Sequence, residues 1–308
     1  MLRIGTVNID TSHAPSFAEI LLKGDRARYT SIYNDGFRTD KDVENFIKKF
    51  SLERRFTSLE EMAKHIDVAF IQSCDWDRHV ELSKPFVDAN VPVFIDKPIV
   101  GNIKDLKIIE KWGNDGKTVL GTSAMRYTYE HANFFSQASS GDILSLTATV
   151  GVDEFNYAIH AVEEIMGFMR GISPLTVQFL GENTVDSIAC DSYRVTFENG
   201  AASYYHICKG PWQPSTAVIM CKKNTFVYRI DSGKVYESML GEVLDYFEGK
   251  ENNMATVGEM LASVRVMLAG RKSRAASSAV VNIFDLTEED GGFDGYEFYN
   301  KYKAQNGY

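Results

Sequence analysis

Short apolar runs of strand length alternate with helical patterns through residues 1–122, and that alternation admits few architectures other than a parallel sheet covered by helices on both faces. Leu2 to Val7, Tyr29 to Tyr33, Val68 to Ile71, the run ending at Asp96, and Thr118 to Leu120 read as strands. Between them, Phe17 to Leu22, Asp40 to Phe50, a stretch opened by Ser58, Arg78 to Ala89 and Ile103 to Trp112 read as helices, Asp40 serving as an acidic start.

From residue 123 the pattern becomes β-rich. Ile143 to Val150, Leu175 to Leu180, Tyr193 to Phe197, Ala217 to Met220 and Thr225 to Ile230 read as strands, and Glu198-Asn199-Gly200 between alternating runs marks a hairpin. Tyr157 to Met169, Val235 to Phe247 and Thr256 to Leu268 carry apolar positions at helical spacing. An antiparallel sheet with helices on one face is expected. The tail from Glu288, acidic and then aromatic, shows no readable element.

A length of 308 residues, 44% of them hydrophobic and 24% charged, suits two globular cores. A formal charge of -9 argues against nucleic acid or an anionic membrane as partner, since both select a basic face. Cys74, Cys190, Cys208 and Cys221 are far apart, which suggests neither a zinc knuckle nor a disulfide framework. Reduced thiols, a strand directly after Met1 and no run of ~18 apolar residues make a cytoplasmic protein the expectation.

Val93-Phe94-Ile95-Asp96-Lys97-Pro98 places a lysine and a stiff proline directly after an apolar strand, at the sheet edge where open α/β sheets bind ligands. With this segment in fifth-strand position, His79 after the fourth strand and His160 in a later helix, the chain resembles the glucose-fructose oxidoreductase / inositol dehydrogenase / MocA family over nearly its whole length. The family's Glu-Lys-Pro stands here as Asp96-Lys97-Pro98. The resemblance implies a Rossmann-type α/β domain over residues 1–122. An α+β domain with a large open, mostly antiparallel sheet follows over residues 123–308. It also implies hydride transfer between NAD or NADP and a sugar, cyclitol or related polyol, with Lys97 near the nicotinamide and the reacting hydroxyl. Cofactor contacts are then expected from the loop Asn8 to His13, from Asn34, Asp35 and Arg38 after the second strand, from Ser73, Asp75 and His79, and from Asp96 and Lys97. Relatives often pair through the open sheet, so a homo-oligomer is expected.

The family's G-x-G-x-x-G loop is Asn8-Ile9-Asp10-Thr11-Ser12-His13 in this chain, with no glycine at any of the three positions. A carboxylate ~4 Å from a phosphate costs about 4 kcal/mol at an effective dielectric near 20, so Asp10 must turn away, or the dinucleotide sits differently or not at all. Asp10, Thr11 or Ser12 can instead cap the helix that Pro15 begins, and Thr11 and Ser12 can also meet the pyrophosphate. Asn34-Asp35 sits where an acid grips the adenosine ribose, while Arg38 suits a 2'-phosphate, so NAD and NADP both stay open.

His160 lies beside the apolar face formed by Ile159, Val162 and Met166, with Glu163 and Glu164 as possible helical partners. Where the family commonly has Asp four residues earlier, this chain has Asn156, which accepts hydrogen bonds but takes no proton. Proton transfer falls to Lys97 or His160. Trp76, Arg126, Tyr127, Asn156 and His160 are the expected substrate-side residues. His13, His65, His79, His131 and His206 show no metal-ligand spacing. Two other readings stand beside the dehydrogenase: a lyase or glycosidase-like relative using transient oxidation, and a catalytically silent sugar-sensing or partner-binding protein.

Overall fold

The computed structural model describes residues 1–308. The chain divides into two compact units, one of Met1–Thr122 with Leu240–Gly258 and Asp294–Tyr308, the other of Ser123–Met239 with Glu259–Phe293. Two late segments that a consecutive division at residue 122 assigns to the second domain thus belong with the first.

In the first unit, β1 (Leu2–Val7), β2 (Ala27–Tyr33), β3 (Arg54–Phe56), β4 (Val68–Ile71), β5 (Val93–Ile95) and β6 (Val119–Gly121) form one sheet in the order β3-β2-β1-β4-β5-β6. Every pairing is parallel. Helices α1 (His13–Leu21), α2 (Asp40–Phe50), α3 (Leu59–Ala63), α4 (His79–Asp88) and α5 (Ile103–Asn114) connect the strands. Because both faces are covered, β4 and β5 are buried along their whole length. Phe70 stacks on Phe94 at 4.6 Å while Phe17 of α1 meets both rings edge-on at 6.4 Å, and each such buried ring contributes about 1.5–3 kcal/mol.

Local chemistry sets the helix ends. Thr39 and Asp42 form a capping box for α2, and Ser51 ends it in the left-handed conformation. The tail holds an element that the sequence pattern did not reveal: α10 (Gly295–Gln305), capped by Asp294 accepting from the Glu297 amide. The returning segment 240–258 is held by Arg26, which bridges Asp245 at 2.5 Å and Glu248 at 2.8 Å.

The second unit is built on β7 (Ile143–Val152), β8 (Pro174–Val185), β9 (Ile188–Phe197), β10 (Ala202–Lys209), β11 (Thr216–Cys221), β12 (Thr225–Arg229) and β13 (Val281–Asn282). Their order is β12-β11-β7-β10-β9-β8-β13, antiparallel except where β10 runs parallel to β7. Helices α6 (Tyr129–Phe135) and α7 (Ala158–Phe168) belong to this unit, while the chain passes between units within α8 (Val235–Phe247) and α9 (Val257–Ala275). Tyr193 stacks on Tyr205 at 4.7 Å beneath Gly270 of α9, where a Cβ would stand 2.7 Å from the Tyr205 hydroxyl. Strand residues Leu144, Val218, Met220 and Val227 are exposed. No helix is long and apolar enough to cross a membrane.

Candidate functional site

The turn after β1 does with other residues what glycines do elsewhere. Asn8, in the first glycine position, adopts φ 66°, a conformation Asn tolerates better than most side chains. Its Oδ1 accepts from the amides of Asp35 at 2.9 Å and Gly36 at 3.2 Å, tying the ends of β1 and β2 together. Asp10, in the second position, is fully buried and accepts from the Cys74 amide at 3.2 Å and the Ser73 hydroxyl at 3.4 Å. Position 36 must be glycine, because any Cβ there runs into the Asp10 carboxylate. Burial raises the Asp10 carboxyl to about 6 against the pull of the Cys74 amide and the Arg38 charge.

Asp10 therefore does not cap α1, and neither does Ser12, the N-cap residue, whose side chain makes no capping bond. Thr11 Oγ1 accepts from the His13 amide at 3.2 Å, and the first turn of α1 carries no acid. His13, in the third position, places Nδ1 2.6 Å from Asp96 Oδ2 and stacks on Phe17 at 5.8 Å. At the tip of β5, Asp96 is buried and its Oδ1 accepts from the Lys97 amide at 2.8 Å. Burial pushes the Asp96 carboxyl up, but His13 and Lys97 outweigh it and hold the group below its ordinary value. The Lys97–Pro98 peptide is cis.

His79 spends both ring nitrogens on backbone carbonyls, Nδ1 on Ile99 at 2.8 Å and Nε2 on Ser73 at 2.9 Å. It clamps the turns after β4 and β5 instead of presenting a nitrogen to a ligand. Asp75 caps the 3-10 turn Trp76–Arg78 by accepting from the Asp77 amide at 3.1 Å. Asn34 donates to the Arg38 carbonyl at 3.3 Å, and Asp35 is gripped by both terminal nitrogens of Arg78, at 3.1 and 2.7 Å. Arg38 itself donates to the Asp10 carbonyl at 3.2 and 2.8 Å. Trp76, expected to offer its face to a sugar, is instead 3% exposed with Phe298 of α10 against it at 5.0 Å.

In the second unit, His160 Nδ1 lies 2.6 Å from Ser123 Oγ, with Tyr157 edge-on at 5.8 Å. Glu163 and Glu164 are occupied elsewhere: Glu163 pairs with Arg126 at 2.6 Å, and Glu164 meets Ser215 at 2.5 Å. Arg126 and Tyr127 are each 4% exposed, and Arg126 also donates to Ser263 at 2.9 Å. That burial makes them packing groups and not a substrate lining. Asn156 is half-buried beside Asp153, whose carboxylate takes the amides of Phe155 and Tyr157 at 3.0 and 2.8 Å. His131 is buried between Thr128 and the Glu164 carbonyl, and burial depresses it to about 3. No group of three or more His, Cys, Asp or Glu side chains is arranged to hold a metal ion.

Residues 2–139 match the model of an oxidoreductase family with an NAD-binding Rossmann fold, the glucose-fructose oxidoreductase / inositol dehydrogenase / MocA family. The match covers the N-terminal part of the chain, somewhat under half of its length. The sheet order is the doubly wound one, with its switch point between β1 and β4. No curated protein matches the chain in sequence. Solved structures share its fold at low identity. A probable dehydrogenase from Thermotoga maritima is 16% identical with a TM-score of 0.76, covering 93% of this chain and 100% of its own. A putative myo-inositol dehydrogenase from Sinorhizobium meliloti 1021 is 13% identical, TM-score 0.77, covering 92% and 100%. Scyllo-inositol dehydrogenase from Lactobacillus casei, with bound NAD(H) and scyllo-inositol, is 15% identical, TM-score 0.73, again covering 92% and 100%.

The oxidoreductase family's dinucleotide fits the α1 end of this site. Helix starts leave amide donors without intrahelical partners, and here Thr11 takes the His13 amide while the N-cap side chain and the first turn bring neither a capping bond nor an acid to the others. Of the carboxylates nearby, Asp10 is directed into the turn after β4, where the Cys74 amide answers it, and Asp96 is paired with His13. Sequence reading missed Ser123, Arg78, Phe37 and the whole of α10. The cap spacing Asp294 to Glu297 and the aromatic series Phe298, Tyr299, Tyr302 are the signals that point to α10.

Proposed function

We propose that the chain is a dehydrogenase or reductase that moves a hydride between NAD or NADP and a CH-OH group of a sugar, cyclitol or related polyol. The arrangement that carries this reading is His13–Asp96–Lys97: the turn that greets the pyrophosphate is bonded to the carboxylate that precedes the motif lysine. The α1 amides with the Thr11 and Ser12 hydroxyls would hold the pyrophosphate, and Asp96 and Lys97 would flank the nicotinamide. When bound, the dinucleotide supplies the hydride acceptor or donor. Asp96, buried and kept ionised by His13, orders the backbone that carries Lys97.

Lys97, neutral, takes the hydroxyl proton of an alcohol; charged, it polarises the oxygen of a ketone during reduction. His160 is the second proton-transfer candidate. Ser123 Oγ lies 2.6 Å from its Nδ1, which orients the ring. We further propose that copies of the chain associate through the exposed sheet residues Leu144, Val218, Met220 and Val227, and that the protein, whose four cysteines are all free, works in the cytoplasm.

Fluorescence titration with NADH and NADPH, followed by turnover assays over a panel of inositols and sugars, tests the proposal. Binding of either nucleotide is expected, and Lys97→Ala should retain that binding while losing turnover by at least about a hundredfold. A Lys97→Ala protein with full activity would remove Lys97 from the chemistry.

A further inference from the structure

In this sheet order the crevice for a dinucleotide opens at the β1/β4 switch point, and its adenosine side is bounded by the turns after β1, β2 and β4. Helix α10 lies on those turns. Gly295 packs so closely on the turn after β4 that a Cβ would stand 2.6 Å from Asp75 Oδ1 and 2.7 Å from the Asp77 amide nitrogen. Asp77 Oδ2 accepts from the Gly295 amide at 2.7 Å and the Tyr296 amide at 3.4 Å. One turn on, Phe298 covers Trp76 at 5.0 Å, and Tyr299 meets Phe37, in the turn after β2, at 5.6 Å. Burial first, then the charge of Asp10, pushes the Tyr299 phenol up. Tyr308 completes the seal, with its ring 5.1 Å from Phe37 and its hydroxyl 3.0 Å from an Arg38 terminal nitrogen.

Beside this helix, Asn8, Asp10, Ser73, Cys74 and Asp75 are no more than 6% exposed. The groups suited to grip a ribose or its 2'-phosphate are engaged as well, Asp35 by Arg78 and Arg38 by the Asp10 carbonyl and Tyr308.

We propose that α10 is an intramolecular competitor for the adenosine half of the dinucleotide: it docks in that crevice and must leave before NAD(H) or NADP(H) binds in full. The inference rests on the proposed dehydrogenase function. Competition of this kind lowers apparent affinity by the fraction of molecules in which α10 is undocked, and a tether holds the helix at high effective concentration. The tether is fixed: Phe293, two residues before α10, stacks on Phe155 at 4.0 Å with Arg271 over its ring at 4.9 Å.

The test uses the full-length chain and two full-length variants, Gly295→Val, which adds bulk against Asp75, and Phe298→Ala/Tyr299→Ala, which strips the aromatic contacts. NADH and NADPH are titrated against all three, and amide exchange of residues 295–305 is followed with and without NADH. Expected results are about tenfold or greater tightening in both variants, and faster α10 exchange in the wild type when NADH is bound. Unchanged or weaker binding in both variants, or α10 amides better protected with NADH, overturns the proposal and makes α10 a wall of the site. If neither the wild type nor either variant binds a nucleotide while all remain folded by circular dichroism, the dehydrogenase reading itself falls, and the competition with it.

Discussion

His13 Nδ1 stands 2.6 Å from Asp96 Oδ2, so the helix that follows β1 is bonded to the acid that follows β5, 83 positions away. One contact thus sets the spacing between the start of α1 and Lys97. Replacing His13 with Ala leaves a buried carboxylate short of its main partner, a loss that typically costs about 3 kcal/mol. Urea denaturation at pH 7 should show it. Because the folded Asp96 lies below its ordinary value, its contribution is present above about 3.8 and is lost as pH falls through the folded value. The gap between His13→Ala and wild type should therefore shrink in acid.

Asp10 behaves with the opposite sign. Its folded pKa of about 6 lies above the ordinary 3.8, so its favourable contribution is complete below 3.8 and is lost as pH rises through 6. The difference corresponds to at most about 3 kcal/mol at neutral pH. Asp10→Asn should raise the unfolding free energy at pH 7–8 and match wild type near pH 4, as read from denaturant midpoints. A variant less stable at every pH would show that the carboxylate's bonds to Cys74 and Ser73 outweigh its burial.

Glu164 is wholly buried in α7 with one oxygen unpartnered, and burial lifts it to about 8 from an ordinary 4.5. It carries a proton at neutral pH in the folded protein, so stability falls as pH rises from 4.5 and the group's contribution is lost once pH has passed the folded value of about 8. Glu164→Gln keeps a partner for Ser215 and carries no charge. Thermal melts at pH 9 should favour the variant by several degrees, and the advantage should vanish below pH 4.5.

Ser123 is a positioning residue for His160. Ser123→Ala should lower kcat by about tenfold, leave the melting temperature within a few degrees, and displace the pH–rate profile, because the Nδ1 partner selects the tautomer. Ser123→Thr, which keeps the hydroxyl, should restore both rate and profile. An unchanged profile in Ser123→Ala would place His160 outside the proton path.

Local chemistry made much of this protein legible in its sequence. Strands buried on both faces must be apolar throughout, so β4 was readable to the residue, and α2 announced itself through its acidic start and basic end. β3 escaped because Arg54-Arg55-Phe56 is short and two-thirds charged, its place in the sheet coming from pairing with β2. The motif Asp96-Lys97-Pro98 could likewise be read in one dimension. What Asp10, Asp35 and His160 do could not: their partners Cys74, Arg78 and Ser123 lie 64, 43 and 37 positions away. Periodicity records which side of an element is apolar but not what comes to cover it. Only the folded chain decided that a lone carboxylate in the turn after β1 is answered from the turn after β4, and that an aromatic tail settles on the turns after β2 and β4.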